Sequence, residues 1–314
     1  MPDIIFALIL GYGLDLILGD PEWLYHPVRL IGRFISFMEQ KLRSRGGNFR
    51  KSAVLLTAST VLVSAAAAAL IILAAGLFGR WPRLICMALM DWMGIAVTTM
   101  AREARGVKRA LTESVEAGRK QVSRIVGRDP QDLSAEEIVK ATVETVSENT
   151  TDGVISPLIY AALGGPILLW AFKAASTLDS MVGYMDEKYR DIGWSSARLD
   201  DVLNYVPARI TALLMCAVAF VSGLDSKNAL RIVRRDHANH LSPNCAWSEA
   251  AAAGAMHIRL GGTHTYFGKT VVKPTIGDAD RPAVPEDITK ANRLLYITSL
   301  LAVCVIAAIG MIAG

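Results

Sequence analysis

The sequence predicts an all-α, polytopic membrane protein with about four to six membrane helices. Three observations predict this class. The 314 residues are 52% hydrophobic, a larger share than soluble domains usually have. Two apolar stretches, Ala53–Leu77 and Leu294–Gly314, contain no charged residue. The apolar residues as a whole collect into runs that are about long enough to cross ~30 Å of hydrocarbon. These runs are 3–19, 53–79, 84–100, 154–178, 202–223 and 294–313.

The first apolar run contains Asp15 and lacks a basic start, so it predicts a retained helix rather than a cleaved signal peptide. Loop 101–153 is rich in Lys and Arg, and such loops are expected in the cytoplasm. If every run spans, loop 179–201 lies on the opposite side. Otherwise 154–178 or 202–223 is re-entrant, or the polar motifs meet within the membrane. The net charge of +4 does not indicate a nucleic-acid partner, and the apolar runs predict a lipid bilayer as the surroundings.

A single membrane domain is predicted to cover the whole chain and to carry two polar insertions, 101–153 and 224–293. The first insertion is predicted to be helical, with Ser134 and Glu137 forming a capping box. The second is predicted to begin with a helix and to continue as turn-rich, ordered loops. Thr263–Val272 is its one strand candidate.

Charged residues recur at every fourth position before one apolar run. They are Lys140, Glu144, Glu148 and Asp152, and on a helix they form a single stripe. Neighbouring acids on one face repel each other unless a cation lies there. The stripe leads directly into apolar sequence, which is a poor place for free charge. It therefore favours a Mg²⁺ or Mg-ATP site, because Mg²⁺ prefers oxygen ligands. A solvated acidic face is the alternative.

Lys173 and Asp179 flank the end of the run 154–178. An ammonium inside a span is costly unless it reaches water or a partner, and Asp179 is a candidate partner. A fixed ammonium suits a phosphate group as a point charge. The alternative is that Lys173 extends to the membrane interface.

Asp200, Asp201 and Asn204 form a DDxxN pattern at the start of the run 202–223, and Arg209 follows two turns after Asp201. Paired carboxylates at the mouth of a membrane helix suit Mg²⁺ that bridges phosphates. The alternative is that the acids complement a helix dipole, which leaves Asn204 and Arg209 unexplained.

Two further polar clusters are candidates. Asp15, Asp20, His26 and Arg29 surround the first run, and His26 is a candidate acid or base, although a lone histidine is more often structural. The second cluster suits an anionic substrate, because Arg residues precede it. It contains Asp236, His237, His240, Asn244 and Glu249. Its two histidines have no convincing third ligand for zinc, and the chain has no standard nucleotide-binding loop.

Six stretches of the chain, in the expected order, resemble the adenosylcobinamide-phosphate synthase family of vitamin B12 biosynthesis. They are Gly19-Asp20-Pro21 with His26-Pro27-Val28, VETVSENTTDGVISP at 143–157, TLDSMVGY at 177–184, ARLDDVLNYVPAR at 197–209, LSPN at 241–244, and LGG at 260–262 with Tyr266 and Gly268. Together they span nearly the whole chain. The sequence departs from the family at Ser176, where Asn is usual, and at Cys245–Ser248, where Ala-Gly-x-Pro is more usual.

The resemblance implies a multi-pass enzyme of a bacterial or archaeal cytoplasmic membrane. This enzyme would join adenosylcobyric acid to (R)-1-amino-2-propanol or its O-phosphate, with ATP and Mg²⁺. Other membrane enzymes of the corrinoid pathway are expected partners. ATP can convert the unreactive carboxylate to an acyl phosphate, whose developing charge needs metal and cations. The residues expected in catalysis are Glu144, Glu148, Asp179, Asp201 and His26. The expected Mg²⁺ ligands are Glu148, Asp152, Asp200 and Asp201. The residues expected to bind substrate are Asp15, Asp20, Arg29, Asn149, Lys173, Tyr184, Arg198, Asn204, Arg209, Asp236, His237 and Asn244.

Two rival functions are compatible with the sequence. The family has distant relatives implicated in β-lactamase induction, which would make the chain a membrane sensor or signalling protein. The DDxxN pattern also suggests a Mg²⁺-dependent lipid phosphotransferase or prenyltransferase. Such an enzyme would turn over a lipid phosphate without ATP-driven amide formation.

Overall fold

The computed structural model describes residues 2–21, 23–127, 130–266 and 269–313, and helices dominate it. The helices are α1 (Pro2–Leu18), α2 (Pro27–Arg45), α3 (Phe49–Gly76), α4 (Arg80–Gly94), α5 (Val97–Glu113), α6 (Val115–Val122), α7 (Ala135–Asn149), α8 (Ser156–Val182), α9 (Trp194–Val221), α10 (Ser226–Asp236), α11 (Cys245–Met256) and α12 (Pro285–Ala313). A π-helical turn at Thr150–Ile155 joins α7 to α8. Two antiparallel strands, β1 (Leu260–Tyr266) and β2 (Lys269–Ile276), form a hairpin.

Within the described residues, five helical segments are long and apolar enough to cross a membrane. They are Phe49–Gly76, Arg80–Glu113, Ala135–Val182, Trp194–Val221 and Pro285–Ile312. The apolar window of α3 has a mean hydropathy of 2.3, yet only 11% of it is buried inside the protein. Large side chains such as Leu62 and Leu70 are therefore exposed along it, which suits lipid and not water. The predicted class, an all-α multi-pass membrane protein, is confirmed.

The chain divides into two compact units, which are described separately. The first unit contains residues 1–96, 156–204 and 303–314, and the second contains residues 97–155 and 205–302.

In the first unit, α1 packs along α4, and α3 packs along α8. Leu8 is fully buried at the first of these contacts. Gly11 allows the two backbones to approach closely. A Cβ atom added there would lie 2.7 Å from Cβ of Asp91, 2.8 Å from the carbonyl oxygen of Ala88 and 2.9 Å from the amide nitrogen of Trp92. A small residue is thus required where α1 crosses α4.

Helix α8 breaks in the middle. Gly164 and Gly165 leave helical geometry, with φ of −148° and +62°, directly before Pro166. Pro166 has no N–H to continue the helical hydrogen bonds, and glycine adopts a positive φ without steric cost. A cavity of about 560 Å³ adjoins the break and is also lined by Arg80 and Arg83. Such a cavity is the setting in which irregular backbone is tolerated at membrane depth.

In the second unit, α10 lies along α11, and α7 contacts both α11 and β1. The predicted capping box forms at the start of α7: the Ser134 hydroxyl accepts from the Glu137 N–H, and the Glu137 carboxylate accepts from the Ser134 N–H. The predicted helix after 224 is confirmed as α10.

The expectation of ordered loops after α10 is wrong for two segments. Cys245–Met256 is a helix, because its run of alanines has the highest helix propensity. Strand structure covers Leu260–Tyr266 and Lys269–Ile276, so it begins before and ends after the predicted Thr263–Val272. Backbone pairing with a partner strand recruits residues that have weak strand signals themselves. Gly268, one of the residues matched to the family, lies outside the described residues.

Replacing Gly11 with alanine is expected to lower the melting temperature of the purified protein in detergent. The added methyl group would force α1 away from α4, and overpacking of this kind costs about 1–3 kcal/mol. Gly13→Ala is the matched control, because it makes the same change in the same helix, with no atom within 4 Å of the added Cβ. Equal melting temperatures for the two variants would contradict the close approach.

Candidate functional site

Acidic side chains from α7 and α11 line a cavity of about 180 Å³ in the second unit. This acidic pocket is defined by Glu144, Glu148, Asn149, His240 and Glu249. Helical spacing brings Glu144 and Glu148 to one face of α7, as the sequence predicted. Glu249 comes from α11 and is only 5% exposed. Glu144 and Glu148 are partly buried. Three carboxylates around one small cavity favour a positively charged ligand.

Backbone and side-chain donors orient the first two acids. The Gly261 N–H in β1 donates to Oε1 of Glu144 at 2.8 Å. The thiol of Cys245, the first residue of α11, donates to Oε1 of Glu148 at 3.1 Å. Burial raises the pKa of this thiol well above its usual value, and the charges of Glu148 and Asp152 add to the effect. Cys245 therefore stays a neutral donor to Glu148.

Asp152 lies in the π-helical turn that follows α7. Its charge, like that of Glu148, raises the pKa of the Cys245 thiol. The continuous stripe through all four residues stays a prediction. Lys140, at the other end, forms an ion pair of 2.6 Å with Glu136 and is thus engaged on α7 itself.

Arg209 lies between two aromatic rings of the second unit. Its guanidinium carbon is 3.5 Å from the ring centre of Tyr205 and 4.6 Å from that of Trp247. One guanidinium nitrogen, Nη1, donates to the Tyr205 carbonyl at 2.6 Å and to Oδ1 of Asn244 at 3.3 Å. The His237 ring packs on Trp247, and the two ring centres are 4.5 Å apart. Three predicted substrate residues, Arg209, Asn244 and His237, therefore meet here.

Asp236 is 3% exposed, and its carboxylate forms an ion pair with Arg235 at 2.6 Å. It also accepts from the Gly277 N–H at 2.7 Å. These contacts tie α10 to the end of β2 and favour a structural role for Asp236 over the predicted contact with substrate.

His26 precedes α2 in the first unit, and its Nδ1 accepts from the Val28 N–H at 3.2 Å, which caps the helix. Its Nε2 lies 3.9 Å from Oδ1 of Asp20. Burial lowers the pKa of His26. The Asp20 carboxylate opposes this shift, whereas Lys173 and Arg29 add to it. The structure thus brings three predicted residues, Asp20, Arg29 and Lys173, close to a histidine that is neutral near pH 7.

A chain of hydrogen bonds connects α8 to α9. The Ser156 hydroxyl donates to Oδ1 of Asn204 at 2.6 Å, and Nδ2 of Asn204 donates to Oδ2 of Asp200 at 3.0 Å. Tyr160, one turn after Ser156, donates to the carbonyl of Leu203 at 2.9 Å. The predicted shared face of Asp200 and Asn204 is confirmed, and it fixes one oxygen of the Asp200 carboxylate.

The other predicted residues of the first unit lie near helix ends or inside helices. Arg198 is 3.6 Å from Asp201, within the first turns of α9. Asp179 covers the backbone of Gly183 at the end of α8, where any side chain would collide with its carboxylate. Burial raises the pKa of the neighbouring Tyr184, and Asp179 contributes to that rise.

Asp15 and Asn149 are contained within helices. Asp15 is fully buried in α1. Asn149 donates from Nδ2 to the Thr145 carbonyl of its own helix at 2.9 Å.

Known proteins share this sequence over nearly its whole length. The family model described as "CobD/Cbib protein" matches residues 8–295. The chain belongs to the CobD/CbiB family. A "Cobalamin biosynthesis protein CobD" from Pelobacter propionicus is 48% identical over 310 residues, which are 98% of this chain and 96% of that protein. A "Cobalamin biosynthesis protein CbiB" from Salmonella arizonae is 44% identical over 316 residues, which are 97% of each. No solved structure matches the chain.

The oxygen atoms of this CobD/CbiB chain suit a hard cation. Among the described residues, no group of three His, Cys, Asp or Glu side chains is arranged to hold a metal ion by itself. Mg²⁺ seldom needs such a group, because it is usually bound by one or two carboxylates together with waters and phosphates. The adjacent acids Asp200 and Asp201, with Asn204 fixing the first, fit that requirement.

Three residues that contact candidate residues of this CobD/CbiB chain were not singled out from the sequence. Ser156 and Tyr160 are polar residues one helical turn apart in an apolar run, which was the available signal. Trp247 had no such signal, because its contact with Arg209 joins positions far apart in the chain.

Titration of His26 by NMR is expected to give a pKa below the ordinary value of 6.5. Lys173→Met should move the pKa up, because a positive neighbour is lost, and Asp20→Asn should move it further down. The unfolded chain takes up this proton at a higher pH than the folded one. The contribution of His26 to stability is therefore present above pH 6.5 and is lost as the pH falls below that value. His26→Gln identifies the signal. A pKa above 6.5, or a downward shift in Lys173→Met, would disprove the account.

Proposed function

We propose that this chain catalyses ATP- and Mg²⁺-dependent formation of the amide between adenosylcobyric acid and (R)-1-amino-2-propanol or its O-phosphate. The product is adenosylcobinamide or its phosphate. The observation that carries the proposal is the acidic pocket, whose three carboxylates surround a small cavity in a member of a family named for cobalamin biosynthesis.

The acidic pocket is proposed to receive the amino alcohol. An aliphatic amine is an ammonium ion near pH 7, so it cannot attack a carbonyl carbon before it loses a proton. The carboxylates of Glu144, Glu148 and Glu249 attract the ammonium group, and Glu148 accepts its proton as general base. A cavity of about 180 Å³ admits a three-carbon amino alcohol but not a corrin ring.

The corrinoid carboxylate is proposed to be activated by ATP. Its oxygen takes the γ-phosphoryl group, ADP leaves, and an acyl phosphate results. The amine nitrogen then attacks the acyl carbon, the carbon–oxygen bond to phosphate breaks, and inorganic phosphate leaves. Asp200 and Asp201 would hold Mg²⁺, with Glu148 and Asp152 as the other candidate pair. The metal would supply positive charge to the phosphate oxygens.

Cationic side chains are proposed to bind the phosphate groups. Lys173 offers a point charge, whereas Arg209 and Arg198 offer planar forks of donors. His26, which is neutral near pH 7, can take a proton from a hydroxyl group or water beside it. The proposed location is the cytoplasmic membrane of a bacterium, where ATP is available to the basic, inward-facing loops.

Glu148→Ala and Asp200→Ala are expected to abolish amide synthesis by the purified protein in liposomes. Each change removes a carboxylate that the proposed reaction needs, and removal of a general base typically costs a factor of about 10²–10⁴. The measurement is product formed from adenosylcobyric acid, amino alcohol, ATP and Mg²⁺. Both variants should still insert into the membrane. Asp191→Ala is the control, because that acid forms only an exposed pair with Arg50.

Full activity of either variant would remove its residue from the mechanism. A wild-type protein that uses a lipid phosphate and makes no amide would favour the phosphotransferase function. A wild-type protein that neither makes the amide nor consumes ATP would favour the sensor function.

A further inference from the structure

Arg209 is the centre of a small cluster in the second unit, which also contains Tyr205, Asn244 and Trp247. We name these four residues the Arg209 clamp. Among the described residues, no carboxylate lies within ion-pair distance of Arg209. Arg209 also lies in a helix apolar enough to cross a membrane. A positive charge in such a helix requires a partner.

The clamp fixes one side of the guanidinium group and leaves the other side available. Nη1 is used by the Tyr205 carbonyl and by Oδ1 of Asn244. Within the described chain, Nε and Nη2 donate to no protein acceptor. These two nitrogens form the edge of the guanidinium plane that matches two oxygens of a phosphate. The rings of Tyr205 and Trp247 lie near the guanidinium carbon and restrict its rotation.

Trp247 is held in the clamp at the expense of a hydrogen bond. Its indole nitrogen is buried and has no acceptor among the described residues, although a buried indole N–H usually finds one. The ring nonetheless contacts both Arg209 and His237. The interaction that Trp247 does make is therefore through its aromatic face, which attracts a guanidinium group.

Arg50 also stacks on an aromatic ring, but an acid balances its charge. Its guanidinium carbon lies 5.8 Å from the Trp194 ring centre. Its Nε, however, lies 3.5 Å from Oδ1 of Asp191, whose charge balances that of Arg50. Arg209 has stacking on two rings and no such acid. The difference indicates a stacked arginine that is kept for a ligand.

We infer that the Arg209 clamp is a preformed receptor for a phosphate group, and that Trp247 is the residue that positions its arginine. The inference rests on the proposed function for the identity of the ligand, which is either a phosphate of ATP or the phosphomonoester of the amino alcohol. Trp247 acts through Arg209 and does not itself take part in the reaction.

The test measures binding by calorimetry to the full-length protein in nanodiscs. The probes are ATP, inorganic triphosphate, (R)-1-amino-2-propanol O-phosphate and the amino alcohol without phosphate. Trp247→Ala is expected to weaken the binding of at least one phosphate-bearing probe roughly tenfold. The affinity for the unphosphorylated amino alcohol should stay unchanged. Trp247→Phe, which retains an aromatic face, should restore most of the affinity. Trp194→Ala is the matched control and should change nothing.

The probes separate the two sources of phosphate. Weaker binding of ATP and inorganic triphosphate assigns the clamp to the nucleotide, and weaker binding of the amino-alcohol phosphate alone assigns it to the phosphomonoester. In turnover, KM for that substrate should rise while kcat is retained. The inference is overturned if wild-type protein binds no phosphate probe, or if Trp247→Ala leaves the affinity for every probe unchanged. It is also overturned if Trp247→Phe binds as weakly as Trp247→Ala while both variants have the melting temperature of wild type. Triphosphate binding that depends on Trp247, in a protein that makes no amide, would retain the clamp and refute the proposed function.

Discussion

Polar side chains that lie among apolar helices have no water to solvate them, so each needs a partner within the protein or a ligand. The hydrogen-bonded chain from Ser156 through Asn204 to Asp200 shows how α8 and α9 meet this constraint. The Asn204 amide accepts from one side and donates to the other, so its orientation is fixed. Asp200 is oriented in turn, and an oriented carboxylate is what a metal–phosphate site requires.

Irregular helix geometry supplies other parts of the candidate site. Pro207 in α9 has no N–H, so the Leu203 carbonyl lacks its usual helical donor, and the Tyr160 hydroxyl donates to it instead. A π-helical turn follows α7 and contains Asp152. Both departures from ideal helix occur where candidate residues lie. Departures of this kind are frequent at functional sites.

The acids of the two units have different surroundings, and this difference is the basis for assigning them different chemistry. Glu144 and Glu148 face a small cavity and accept from a backbone N–H and a neutral thiol. Asp200 is adjacent to Asp201 and accepts from an amide. The first group suits a small ammonium ion, and the second suits a hard cation that also binds phosphate. The relatives of this CobD/CbiB chain are named for cobalamin biosynthesis, the pathway to which the proposed reaction would belong.

The sequence by itself determined the membrane class, the approximate limits of most helices, the capping box of α7 and the family. Each of these depends on local composition, spacing or motif. It also predicted that Asp200 and Asn204 share a face, since that follows from helical period alone. Tertiary structure decided the rest. Cys245 meets Glu148, Gly261 meets Glu144, and Trp247 meets Arg209 across long separations in the chain. No local pattern encodes such contacts, because they depend on which helix faces pack together, and that is settled by the burial of whole elements.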